Sequence, residues 1–514
     1  MIRPTTQGSG SQEGAPGRPG RSLSHQAGFV IAARGTAFAI AFAVPIVMVR
    51  VISQEAYGYY RQALFVFSFF QVILQLGMTQ SLYYFYPREP GRRRALLTQT
   101  VLFLGAMGLG AALILSIGRR LVAAYFNDAY MAELAPLVGT YLALMIVSSI
   151  VEILPIIRQQ VRLAFCIIVA TESLRAVLVI GVAVATRDVE AILGALVVAS
   201  AARAVFLVLM LRHQGLLGRG PAGSFHLREQ FAYAAPLGLL AVVVTLVQMT
   251  DRLYVSRYFD ASQFAIYAVG CFQLPIITIV FQSASSVMLG RMAELQKAGL
   301  HDAMIALQRN AIRKLALVAI PAVAGALVLG HDLITVLFTD AYAASVPIFM
   351  IFLALILRSA TAHSIVLRAF GLTGWMFRAS LLSLPVAVVL AVTLTPILGL
   401  VGPAIAVVCA VWVLALVQLW KVGRLLGTGL RGLFPWRSLA ANTAVAAVVA
   451  LALAVARAAS PLPPAANLLA GGALYVGAFL TVAVVTGVIR RDELASARRE
   501  LARRIGRPGR QTER

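Results

Sequence analysis

The sequence predicts an all-α polytopic membrane protein. It reads as about 14 transmembrane helices, arranged as two pseudo-symmetric six-helix lobes plus two C-terminal helices. Three observations carry this expectation. The first is composition: 60% of residues are hydrophobic, only 12% are charged, and the mean hydropathy is +0.86. That balance lies outside soluble globular domains. The second is a phrase that occurs twice. Phe126-Asn127-Asp128-Ala129-Tyr130 returns 212 residues later as Phe338-Thr339-Asp340-Ala341-Tyr342. A weaker match, offset by 207, relates Ser53-Gln54-Glu55-Ala56-Tyr57 to Asp260-Ala261-Ser262-Gln263-Phe264, and Gln75 falls opposite Gln282 in that register. The third is charge: the chain has 44 Lys+Arg against 20 Asp+Glu, and the cations gather on alternate connections.

The elements follow in order. Residues 1–24 are Gly, Ser, Pro, Gln and Arg with little that is apolar, a composition that reads as a disordered tail. A secretory signal is not expected, because the first apolar run starts late, is long and lacks a small-residue cleavage pattern. Six apolar runs follow, at 28–50, 60–86, 95–117, 134–156, 163–186 and 188–211. Each approaches the roughly 20 residues that cross a bilayer. Without water to satisfy the backbone, such segments are helices. These define an N-lobe, 25–211. A Gly-rich basic linker, 212–230, separates it from a C-lobe, 231–423, with runs at 231–255, 264–290, 310–331, 346–371, 376–397 and 399–423. Two more, 437–458 and 467–489, fall within 424–489, outside the repeat. A basic tail, 490–514, closes the chain.

Alternating through 14 spans puts most cations on one side, including Arg92-Arg93-Arg94, Arg309, Arg313, Lys314 and the C-terminal tail. This is the positive-inside bias, and it predicts both termini in the cytoplasm. The net charge of +24 therefore reports topology and contact with anionic membrane lipids, not nucleic acid. Each half starts inside and has an even number of spans, so the repeat is parallel, about an axis normal to the membrane. Paired halves of this kind point to a transporter with its substrate site between them.

Several charges fall inside spans. Arg34, Arg175, Arg203 and Arg358 would each cost about 2.5–3.5 kcal/mol at a helix centre facing lipid. They are expected to face an aqueous cavity or a partner. Glu172 lies three residues before Arg175, on one helical face, which suits a neutralised pair. Arg203 either snorkels or pairs with Glu172 or Glu152. Arg34 and Arg358 have no sequence-local partner and are expected to line a cavity. Asp251-Arg252, near the outer end of its span, reads as an interfacial salt bridge or a gate between lobes. His363 reads as a packed core residue. Cys166, Cys271 and Cys409 fit neither a metal set nor a disulfide framework, and read as small core residues. No phosphate loop, His-Glu-x-x-His motif or paired cysteine set occurs, so no enzyme, cofactor or metal is expected.

Four segments resemble one family. They are Arg50-Val51-Ile52-Ser53-Gln54-Glu55-Ala56-Tyr57-Gly58, Gln75-Leu76-Gly77-Met78-Thr79-Gln80-Ser81, Gln248-Met249-Thr250-Asp251-Arg252-Leu253 and Leu337-Phe338-Thr339-Asp340-Ala341-Tyr342. The chain is similar here to the polysaccharide flippases of the multidrug/oligosaccharidyl-lipid/polysaccharide exporter superfamily. It departs from the lipid II flippase branch, whose extended first-loop pattern is missing. It also lacks the acidic residue in the first span that suits proton-coupled drug antiport. The resemblance implies a bacterial inner-membrane flippase for O-antigen or exopolysaccharide precursors, working by alternating access. Its cargo would be a polyprenyl-pyrophosphate-linked oligosaccharide, and other polysaccharide-assembly proteins are its expected neighbours. A cationic cavity suits such a cargo, because guanidinium matches phosphate oxygens in a fork. Two alternatives stand: an ion-coupled small-molecule exporter of the same superfamily, and a membrane-embedded polysaccharide polymerase or ligase. The shortness of the loops argues against the last.

Overall fold

The computed structural model describes residues 23–216, 227–459 and 462–489. The two expected tails and the core of the 212–230 linker lie outside the described residues. Every regular element that is described is helical. The first half of the chain forms α1 (Leu23–Val51), α2 (Gln54–Gln75), α3 (Met78–Arg88), α4 (Arg93–Ile117), α5 (Arg119–Phe126), α6 (Tyr130–Ser148), α7 (Ile150–Ile157), α8 (Val161–Thr186) and α9 (Val189–His213). The second forms α10 (Leu227–Tyr258), α11 (Ala261–Gly270), α12 (Pro275–Lys297), α13 (His301–Phe338), α14 (Val346–Phe352), α15 (Ala354–Ala360), α16 (His363–Ala369), α17 (Thr373–Leu398) and α18 (Val401–Leu425). Then come α19 (Gly429–Leu433), α20 (Trp436–Ala459), α21 (Pro464–Ala466) and α22 (Gly472–Val485).

Among the described residues, 11 helical stretches are long and apolar enough to cross a membrane, or 12 if α2 and α3, bent by 42°, count as one. The sequence led to an expectation of about 14. The shortfall has local causes. α1 runs for 29 residues, of which the count of described residues takes in only Gly35–Val51. The expected eighth span is broken: α11 stops at Gly270 and α12 restarts at Pro275, with Cys271–Leu274 non-helical between them. Pro275 thus opens a helix, where its missing N–H costs nothing, and does not kink one. α12 also carries Arg291, Glu294 and Lys297.

The repeat reappears in the element boundaries. α8 and α17 begin at 161 and 373 and end at 186 and 398; α9 and α18 begin at 189 and 401 and end at 213 and 425. All four separations are 212, the offset of the repeated phrase. The weaker phrase has a capping cause. Ser53 Oγ accepts from Ala56 N at 3.2 Å at the start of α2. Asp260 Oδ1 accepts from Gln263 N at 2.7 Å at the start of α11, and the Gln263 side chain returns a bond to the Asp260 amide. Both copies are N-caps. The fourth stretch of each half also breaks at matching places, Ser149 between α6 and α7 and Thr361–Ala362 between α15 and α16.

The halves meet along α2, which lies against α10 and α11. Two glycines permit that approach. A Cβ on Gly58 would fall 1.9 Å from the Ala261 carbonyl oxygen, and one on Gly238 would fall 2.3 Å from the Leu76 carbonyl carbon. No side chain fits at either crossing. The largest apolar cluster runs across this seam, joining Met48, Tyr57 and Leu142 to Val269, Phe338 and Tyr342. α20 and α22 pack on α13. There Arg457 pairs with buried Asp332 at 2.8 Å, Asn442 Nδ2 donates to Ala316 O at 2.8 Å, and Tyr475 Oη donates to Pro321 O at 2.9 Å.

Candidate functional site: a cavity between the two halves

A cavity of about 220 Å³ lies on the seam. Phe42 and Pro45 of α1 form one wall, and Tyr57 and Arg61 of α2 another. The opposite wall is Cys271-Phe272-Gln273, the unwound break in the eighth stretch. Non-helical backbone at membrane depth persists where it is buried in protein or lines a cavity, since its N–H and C=O groups need partners. Discontinuous helices of this kind commonly build transporter sites. Here Pro275 permits the break, since it supplies no N–H to continue the ladder.

Arg61 faces this wall and has no ion-pair partner among the described residues. Arg252 of α10 approaches from the other half, its guanidinium against the Cys271 thiol. Two guanidinium groups, one from each half, thus flank the unwound segment. Sequence reading passed over Arg61, because it sits one residue inside the predicted edge of its run, where a cation reads as a boundary marker.

Two further sets of contacts tie the halves together away from the cavity wall. At the end carrying residues 120–130 and 250–260, Tyr125 Oη donates to Leu253 O at 2.8 Å, Asn127 Nδ2 to Arg257 O at 3.2 Å, and Arg257 Nη1 back to Ala124 O at 3.2 Å. At the opposite end, fully buried Gln230 of α10 donates to Ser81 Oγ and Thr100 Oγ1, each at 2.8 Å, and accepts from Gln99 Nε2 at 2.6 Å. Beside it Tyr84 stacks on Tyr233 with centroids 4.5 Å apart, and the Arg88 guanidinium lies 3.8 Å over the Tyr84 ring. Tyr84 and Phe85 of α3 thus contact the second half through Tyr233.

The charged residues picked from sequence separate into three groups. Arg175 pairs with Glu172, as the spacing predicts, beside the Tyr60 and Tyr141 hydroxyls. Arg203, 8% exposed, pairs with Glu152 at 2.8 Å, which resolves its alternatives. Arg358 has no carboxylate in reach among the described residues, and its buried Nε finds no acceptor. It lies near His363, which is buried with Nδ1 2.6 Å from Thr361 Oγ1. The side chain of Arg34 lies outside the described residues. Two expectations need correction. Asp251 and Arg252 make no direct ion pair among the described residues, but they share one cluster with Tyr267 and Cys271, where each lies within the other's field. Asp251 is buried in the second half, where Oδ2 accepts from Tyr267 Oη at 2.7 Å and Oδ1 has no partner. Cys166 and Cys409 are exposed on the outer faces of α8 and α18, and only Cys271 is a buried residue. Among the described residues no group of His, Cys, Asp or Glu has the arrangement of a metal site.

The family model for polysaccharide biosynthesis proteins matches residues 47–347, more than half of the chain. The chain belongs to the polysaccharide biosynthesis protein family. The match takes in Arg61, the unwound segment and both copies of the repeated phrase. No curated protein matches the chain in sequence. Among solved structures, the fold is similar to the lipid II flippase MurJ in an inward closed conformation, with a TM-score of 0.72 at 14% identity over 92% of this chain and 99% of that one. It is also similar to a MOP superfamily transporter from Pyrococcus furiosus, TM-score 0.55 at 11% identity over 78% and 95%. An outward-facing multidrug resistance MATE family transporter of the MOP superfamily gives 0.54 at 13% over 78% and 94%. At these identities the likeness is one of fold. The chain thus shares the fold of these transporters.

Proposed function

We propose that this protein flips a polyprenyl-pyrophosphate-linked oligosaccharide from the cytoplasmic to the periplasmic leaflet of a bacterial inner membrane. Family membership sets the process, polysaccharide biosynthesis. The observation that carries the mechanism is the cavity on the seam, where Arg61, with no ion-pair partner among the described residues, lines the wall and Arg252 reaches the unwound segment from the other half at Cys271. An anionic head entering there meets a planar fork from each half. Arg358, buried without a carboxylate in reach among the described residues, is a further candidate contact, and the polyprenyl tail stays in lipid. The cavity volume is small for such a cargo, so the halves rock apart to admit it, one end at a time.

In this reading 14 spans arise when α1, the α2–α3 pair and the broken α11–α12 stretch each cross the membrane once. Residues 25–211 and 231–423 form two lobes, 424–489 adds two helices, and both termini are cytoplasmic. The end with Asp128 and Asp340 then faces the periplasm. Complementation of a flippase-null strain tests the function: wild type restores surface polysaccharide, Arg61→Ala does not, and Arg61→Lys restores part. Wild-type failure with normal membrane levels refutes the reading. An ion-coupled exporter of the same fold is the second reading, and buried Asp251 with its unpartnered oxygen favours it. Complementation by Asp251→Asn at full rate would remove that support.

A further inference from the structure

Both copies of the repeated Phe-x-Asp-Ala-Tyr phrase close on the first turns of α2. The first copy does so within its own half. Tyr59 Oη donates to Asp128 Oδ2 at 2.6 Å, Asp128 Oδ1 accepts from Tyr130 N at 2.9 Å, and the Tyr59 and Tyr130 rings meet edge to face with centroids 4.8 Å apart. The second copy reaches across the seam. The Tyr342 ring meets Tyr57 edge-on at 6.0 Å, and Gln54 Nε2 donates to Ala341 O at 3.5 Å. Just before α2, Arg50 donates to the carbonyls of Val336 and Leu337, each at 2.6 Å. In its contact with α2, one copy is a clip inside a half and the other a clasp between halves, while Asn127 of the first copy reaches the second half elsewhere, at Arg257 O.

The two differ in one more way. The Tyr59 hydroxyl is satisfied by a carboxylate. The Tyr342 hydroxyl is buried in a residue 1% exposed and has no hydrogen-bond partner. A buried hydroxyl without a partner opposes the packing that buries it. The opposition ends when the surfaces part and water reaches the group. A phenylalanine would keep the same ring contact and lose the opposition. We propose that the second copy is the releasable outer clasp of the transporter, and that the Tyr342 hydroxyl holds the closed clasp near its opening point. Arg50 and Gln54 hold it shut, and Tyr342 Oη works against them. A transport cycle needs both arrangements populated, so an over-stable clasp slows it. The inference rests on the transport reading above.

The test uses the full-length protein in membranes, with Cys166, Cys271 and Cys409 replaced. A reporter, Ala268→Cys, is placed in the cavity wall beneath the clasp. An impermeant maleimide added from the periplasmic side labels it when the clasp opens. Tyr342→Phe should slow labelling about fivefold or more, with unchanged membrane levels and a raised unfolding temperature. Tyr59→Phe should lower the unfolding temperature without slowing labelling. Joining Gln54→Cys to Ala341→Cys with a cleavable thiol crosslinker should stop reporter labelling until the link is cut. Labelling of Tyr342→Phe at or above the parent rate, or of the crosslinked protein at full rate, overturns the proposal. Labelling needs no substrate, so these outcomes are separate from complementation: a strain that complements but fails here refutes the clasp alone.

Discussion

Arg203 and Arg358 each sit beside the break in the fourth stretch of one half, and they are treated differently. Arg203 reaches the break from α9. It donates to Ser148 O at 3.4 Å and is neutralised by Glu152 across 51 residues of chain. Arg358 lies on α15, one turn before the break at Thr361–Ala362. Its neighbours there are His363 and the Thr361 hydroxyl, and no carboxylate among the described residues answers it. The break recurs at the same 212-residue offset, Ser149 and Thr361, while the charge balance does not. A duplicated fold gives each half the same shape; pairing then decides which cations are structural and which stay free for an anion. By that measure Arg175 and Arg203 belong to the scaffold of the first half. Arg61, Arg252 and Arg358 remain as candidate contacts to cargo.

The division is open to breakage, beginning with the largest effect. Arg61→Ala and Arg358→Ala should each reduce complementation to about a tenth of wild type or less, with normal levels in the membrane; removing an unpaired guanidinium breaks no ion pair, and in the proposed reading it takes away a contact to the phosphates. Full transport by both variants would show that unpaired cations here are not cargo contacts. Glu152→Ala should act on stability instead. It strands a buried guanidinium, which costs about 3 kcal/mol at the low end for broken buried pairs, because Glu152 keeps a third of its surface exposed. The measure is thermal unfolding in detergent, and Arg203→Met on top of Glu152→Ala should recover most of the loss. If the double variant is no better than the single, Arg203 has another partner that matters more. Glu172→Gln should cost about 1 kcal/mol, since that pair is local to one helix and partly exposed. Glu294→Ala removes the Arg291–Glu294 pair, whose side chains are 63% and 67% exposed, and should shift unfolding by under about 0.5 kcal/mol.

The sequence by itself determined the class of protein, the positions of most apolar helices and the existence of the repeat. These are legible because they depend on neighbours in the chain. Apolar runs report the lipid environment, Ser53 and Asp260 cap the helices that follow them, and Glu172 meets Arg175 because three residues make nearly one turn. Only the tertiary structure decided the rest. Spacing states which residues share a face of a helix, but not which other helix that face meets. So the partner of Arg203 lay among alternatives until α7 and α9 were packed together. Asp251 and Arg252, adjacent in sequence, were given different direct partners at the end of α11, Tyr267 and Cys271, by the packing of α10 on that helix. Cys166 and Cys409 faced outward because helices in lipid gain nothing by hiding a small apolar group. Arg61 became a candidate contact only when α2 was laid against the unwound Cys271–Gln273 segment, a break that Pro275 permits and the packing of two halves completes.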